Sequence, residues 1–162
     1  MVYDDQLPEL ALSLMDLASE LQADGSPSYP QISPRPMDIQ VNWFVGMSFF
    51  TMKDSWHKMV QTMDPDAKAA MLRDDEWRAA ACADWDRVPF TMIRHRLPHK
   101  VRLLSVTRPD NEMWLNCTLA DLVAERGGHR SDVLADWILT NDLRPGVVGS
   151  GVTVIPTASR HC

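Results

Sequence analysis

A helix-rich α/β fold with two to four strands is the class that this 162-residue sequence predicts, and three observations carry it. "VRLLSV" at 101–106 is short, β-branched and bounded by turn-formers, which reads as a strand. "TLADLVAERGGHRSDVLADW" at 118–137 reads as two capped amphipathic helices joined by a glycine turn. Helical and strand-like segments follow one another along the chain, which favours a parallel βα arrangement over a pure bundle. So few strands make a narrow sheet, and parallel strands need cover on both faces, so the chain reads as part of a larger sheet.

The first element is a helix. Leu7, Leu10, Ala11, Leu14, Leu17, Ala18 and Leu21 recur at three-and-four spacing, with Pro8 near the first turn and Gly25 just past the end, so one face is expected to pack. The four prolines of "SPSYPQISPRP" forbid helix and permit a short extended segment over Tyr29 to Ser33, read as a strand end feeding a loop. In "MDIQVNWFVGMSFFTM" the alternation of Met37, Ile39 and Val41 breaks at Asn42, and the second half of the stretch has no assignment. "KDSWHKMVQTM" and "DPDAKAAMLRDDEWRAAACADWD" predict two or three short helices, with Asp64 as a cap and Pro65 in the first helical position.

"VPFTMIRHRLPHK" is irregular, and the strand at 101–106 follows it. Thr118 is expected to cap the next helix with Asp121 reaching back, Gly127 and Gly128 to end it, and Ser131 to cap its successor. The two apolar stripes are Leu119, Leu122 and Val123, then Val133, Leu134, Trp137 and Ile138. "RPGVVGSGVTVIP" offers a final strand whose glycines weaken it.

Composition excludes several classes. A hydrophobic content of 45% suffices for a core, and the apolar runs are too short for a membrane span or a signal-peptide core. A formal charge of −6 argues against a surface that neutralises phosphates, so nucleic acid is not an expected partner. Cys82, Cys117 and Cys162 are odd in number and form no C-x-x-C pair. The expectation is a reducing cytoplasm, with Cys117 an ordinary buried thiol rather than a nucleophile.

No G-x-S-x-G elbow, P-loop or G-x-G-x-x-G occurs, and no complete catalytic set is encoded. His95 and His99 stand four apart, but Pro98 between them denies the helical zinc geometry, leaving a solvated basic loop as the plainer reading. The pairs Asp4-Asp5 and Asp74-Asp75 read as a solvated start and a helix cap. Arg35 is different: between Pro34 and Pro36 its backbone is stiff, and a rigidly mounted guanidinium suits a carboxylate gripped by two parallel hydrogen bonds. A surface arginine in a proline-rich turn is the alternative.

The order "LRDDEWRAAACADWD", "VRLLSVTRPDNEMWL", "TLADLVAERGGHRSDVLADWIL" resembles the later part of the N-acyl-D-amino-acid deacylase branch of the amidohydrolase superfamily, from about Leu10 to Gly151. The resemblance implies a partial (β/α)8 TIM barrel of the metal-dependent hydrolase type over 1–156, with an irregular and helical insertion at 37–100 and a tail at 157–162. It implies a parent that uses zinc to cleave non-peptide C–N bonds of N-acyl amino acids or related carboxylate-bearing amides. In the family the metal is held by an H-x-H pair, a bridging residue, two further histidines and a late aspartate, none of which maps onto this sequence. "QISPR" stands where the family has an aspartate and a Y-P-Y motif, so Gln31 takes the aspartate's place and Arg35 that of the second tyrosine. Both become substrate-binding candidates, with a D-amino-acid substrate thereby in question. The ending "VTVIPTASRHC" departs from the family, as a shifted reading frame or artificial stop would. A fragment is expected, inactive alone and holding no zinc of its own. The competing expectation is an acidic, non-enzymatic helical module that binds a partner through the aromatic stretch 43–50.

Overall fold

The computed structural model describes residues 8–31, 37–44, 54–87 and 98–151. Their elements run α1 (Pro8–Ala23), β1 (Met37–Val41), α2 (Asp54–Gln61), α3 (Pro65–Arg73), α4 (Asp75–Arg87), β2 (Val101–Ser105), α5 (Leu119–Arg126), α6 (Arg130–Thr140) and β3 (Gly146–Gly151). Short 3-10 turns at Pro98–Lys100 and Pro109–Trp114 flank β2. The mixed, helix-rich class is as the sequence predicts.

The sheet corrects the expected parallel arrangement. Its order is β1-β3-β2, and β3 pairs antiparallel with both neighbours. Met37 stands opposite Gly151 and Val41 opposite Val147, while Val101 stands opposite Gly149 and Leu103 opposite Val147. Periodicity along one strand carries no information about the direction of its partner, so the order of segments alone could not separate the two pairings. β2 also does not bury both faces: Val101 and Leu103 are buried while Arg102 and Leu104 are partly open. The extended segment expected at Tyr29 to Ser33 is not a strand over its described part, residues 29–31, and β1 starts only at Met37.

The helical half follows its caps. The Asp64 side chain accepts from the Asp66 N–H, and Pro65 opens α3. Asp74 Oδ1 accepts from the Trp77 N–H at 2.7 Å in the first turn of α4. Thr118 and Asp121 complete a reciprocal capping box on α5, and Gly127 ends that helix at φ 70°. Thr118→Ala removes half of this arrangement and is expected to cost about 1 kcal/mol, read as a lower urea midpoint with an unchanged m-value. The expected Ser131 cap is corrected: His129 caps α6, its Nδ1 accepting from the Ser131 N–H. The Ser131 hydroxyl instead faces inward and accepts the Trp56 indole N–H at 3.0 Å.

One apolar cluster joins the two halves. Trp56, Leu72, Trp85, Leu119, Leu122, Leu134, Trp137 and Ile138 are fully buried in it, together with Leu103 of β2. α5 lies between β2 and α6, and α4 packs on α2, α3 and α6. α1 departs from its expectation: Ala11 and Ala18 are buried, but Leu14, Leu17 and Leu21 are 43%, 49% and 39% exposed.

Candidate functional site

Gln31 is exposed in an irregular segment that precedes β1, not at the end of a strand. Arg35 lies outside the described residues, as do His95, His161 and 45–50 of the aromatic stretch. Of that stretch Trp43 is buried, and Phe44 lies beneath Arg144, whose guanidinium carbon is 4.2 Å from the ring centroid. His99 is exposed in the turn before β2. Of the residues singled out for substrate or metal, only Gln31 and His99 are among the described residues.

The structure brings side chains together between α4 and α6. Arg78, Cys82 and Asp86, four apart on α4, face Asp136, Asp132 and the pair His129 and Arg130 on α6. Arg78 reaches Asp136 at 2.5 Å and Asp132 at 3.7 Å. The Cys82 thiol donates to Asp132 Oδ2 at 3.4 Å, and Asp86 takes Arg130 on one oxygen with His129 Nε2 at 3.4 Å from the other. The Arg130 hydrogen bond, with His129 assisting, holds the Asp86 carboxyl below its usual range. Burial first, then the Asp132 carboxylate, push the Cys82 thiol up to about 11.

This seam is a clamp rather than a reaction centre, because a nucleophilic cysteine needs the opposite electrostatics. Against the ordinary value of 9.0, a thiol near 11 carries about a hundredfold less thiolate at neutral pH. Iodoacetamide at pH 8 is expected to alkylate Cys82 at least tenfold more slowly than a model thiol, and Asp132→Asn to recover part of the rate. Mass spectrometry of the Cys82 peptide reads both. Cys117 corrects a further expectation: it is disulfide-bonded and has no free thiol, while Cys82 is free.

Three charged residues buried among the described ones, Lys68, Asp84 and Lys100, escaped sequence reasoning, and two of them join helices to their surroundings. Lys68 is 1% exposed, and its ammonium donates to the Trp43 carbonyl at 2.6 Å, tying α3 to the segment after β1. Asp84 accepts from the Ser55 N–H at 3.0 Å and the Ser55 hydroxyl at 2.6 Å, joining α4 to the start of α2. The available signal was position: Lys68 lies one turn before the buried Leu72, and Asp84 falls between Ala81 and Trp85 on a buried face.

Burial lowers the Lys68 pKa below its ordinary 10.5, so the unfolded chain binds that proton more tightly than the folded one. The folded state is penalised below the folded pKa, and stability rises as pH climbs from there towards 10.5. Lys68→Met is expected to flatten this rise, as judged by subtracting urea midpoints of wild type and variant at pH 7, 8.5 and 10.

Arg108, Asp110, Asn111, Leu139, Thr140 and Asp142 line a shallow depression of about 250 Å³. It offers hydrogen bonds and charge of both signs. Family models, curated proteins and solved structures gave no match to this chain. Function therefore rests on the residues themselves.

No helix among the described residues is long and apolar enough to cross a membrane. Among the described residues no three His, Cys, Asp or Glu side chains converge as a metal set, and His129 spends Nδ1 on its own helix cap.

Proposed function

We propose that the chain is a segment of a zinc-dependent amidohydrolase that cleaves the non-peptide amide bond of N-acyl amino acids or related carboxylate-bearing amides. The observation that carries the reading is the α5–α6 pair. A capping box opens it, a positive-φ glycine ends its first helix, and its apolar stripes lie over β2 and the rest of the core, at the boundaries the resemblance implies. On this reading the pair is outer scaffold, a partial TIM barrel is the parent architecture, and the metal ligands belong to other parts of the parent. Arg35 is assigned to hold the substrate carboxylate, with Gln31 close by in sequence.

The coding DNA on either side tests this directly. Open frames that supply an H-x-H strand upstream and an aspartate-bearing strand downstream are expected, and the joined polypeptide should bind zinc and hydrolyse N-acyl amino acids. In it Arg35→Gln should raise KM for the free carboxylate and leave the corresponding primary amide unaffected. Flanking frames without those ligands, or stoichiometric zinc and turnover in the 162-residue chain alone, would sink the proposal.

A further inference from the structure

The depression between the turn after β2 and the end of α6 keeps charges of opposite sign apart. Arg108, Asp110 and Asp142 are exposed and line it together. Arg108 makes no ion pair with either acid or with any other residue among those described. The lining is anchored from within. Asn141, fully buried, accepts from the Thr107 N–H at 3.1 Å and the Asn111 amide at 3.3 Å, and donates to the Trp137 carbonyl at 2.9 Å. Asp142 is held at φ 54° by the turn that closes α6, in which its N–H and that of Leu143 donate to the Leu139 and Ile138 carbonyls. Asn111 lines the depression with only 9% exposure, and no donor among the described residues reaches its Oδ1. The Thr140 hydroxyl gives its hydrogen to the Asp136 carbonyl at 2.8 Å, so it too presents lone pairs.

We infer that this depression binds a free α-amino acid, with the ammonium among Asp110, Asp142 and the Asn111 Oδ1 and the carboxylate on Arg108. An ammonium has three N–H donors and no acceptor, which matches a lining rich in carboxylates and lone pairs. The carboxyl end of α6 stands on the same side as Asp142, and the negative end of a helix favours a cation there. A carboxylate takes the two parallel hydrogen bonds that a guanidinium offers, and Arg108 has its fork to give. Each charge also rejects a simpler ligand: a plain amine meets the Arg108 cation, and a plain carboxylate meets two acids. Size agrees, since about 250 Å³ falls below the roughly 300–1,000 Å³ of pockets for drug-sized molecules. The inference uses none of the residues assigned to the hydrolase reading and does not depend on it.

The test uses the whole isotope-labelled chain, amide NMR, and three probes: L-alanine, N-acetyl-L-alanine and L-alaninamide. L-alanine carries the ammonium and carboxylate common to the class, and each derivative blocks one of them. Saturable shifts are expected for L-alanine at the residues lining the depression, with both derivatives binding at least about tenfold more weakly. Arg108→Gln should weaken L-alanine about tenfold and leave L-alaninamide unchanged. Asp142→Asn should weaken L-alanine and leave N-acetyl-L-alanine unchanged, and asparagine tolerates the positive φ of that position. Both side chains are exposed, and an unchanged thermal melt by circular dichroism verifies that each variant is folded. The comparison of the three probes stands on the wild-type chain alone. No saturable shift with L-alanine up to about 20 mM overturns the inference. So does a blocked derivative that binds as tightly as L-alanine, which would make this a site for an amine or a carboxylate only, and so does L-alanine binding that survives both substitutions.

Discussion

Trp56→Ala is expected to remove about 4 kcal/mol of stability, enough to leave a chain of ordinary stability close to unfolding. Trp56 is fully buried and meets Trp77 and Trp85 edge-on, with centroids 5.2 and 6.1 Å away. Its indole N–H donates to the buried Ser131 hydroxyl, so one side chain ties α2 to α4 and α6 together. Trp56→Phe keeps most of the apolar volume and loses that hydrogen bond, for an expected 1–2 kcal/mol, roughly. Urea unfolding followed by circular dichroism reads both, and it avoids the change in tryptophan fluorescence. A loss below about 1 kcal/mol for the alanine variant would show that the helical layer is not close-packed.

Asp84→Ala is the second large effect, at about 2–3 kcal/mol. The carboxylate is 7% exposed and satisfies both the backbone N–H and the hydroxyl of Ser55, so its loss leaves a donor near the start of α2 unmatched. Its 2.6 Å contact with Arg87 contributes little, because the Arg87 side chain is 69% exposed and solvent screens the pair. Asp84→Asn keeps one acceptor oxygen and should cost roughly half as much. A double-mutant cycle with Ser55→Ala separates the mechanisms: a coupling of about 1 kcal/mol or more places the effect in this junction, and additivity places it elsewhere.

Local chemistry was legible in the sequence and partnership was not. Asp64 before Pro65, Thr118 with Asp121, and Gly127 each act within one turn of their own position, and the structure has all three. Serine favours the cap role, yet tertiary packing recruits Ser131 for Trp56, and His129 two residues earlier does the capping. The direction of β3 and the exposure of the α1 leucines depend on what stands opposite, which periodicity does not record. The polar seam of Arg78, Cys82 and Asp86 shows the same division: the four-residue spacing was present, but its meaning came from the acids and bases on α6. Arg35 and most of the aromatic stretch lie outside the described residues, so their assigned roles rest on the resemblance and on residue chemistry.

The place of β3 sets the timing of assembly. Both edge strands precede the central one in the chain, and Met37 meets Gly151 more than a hundred residues after it has been made. During synthesis β1 and β2 emerge before the strand that joins them, and each waits with unpaired backbone groups. The helices from α2 to α6 all precede β3 in the chain, so the sheet is the last part whose residues are all available. A chain ending before residue 146 lacks the strand that supplies both pairings, so it is expected to lack the sheet.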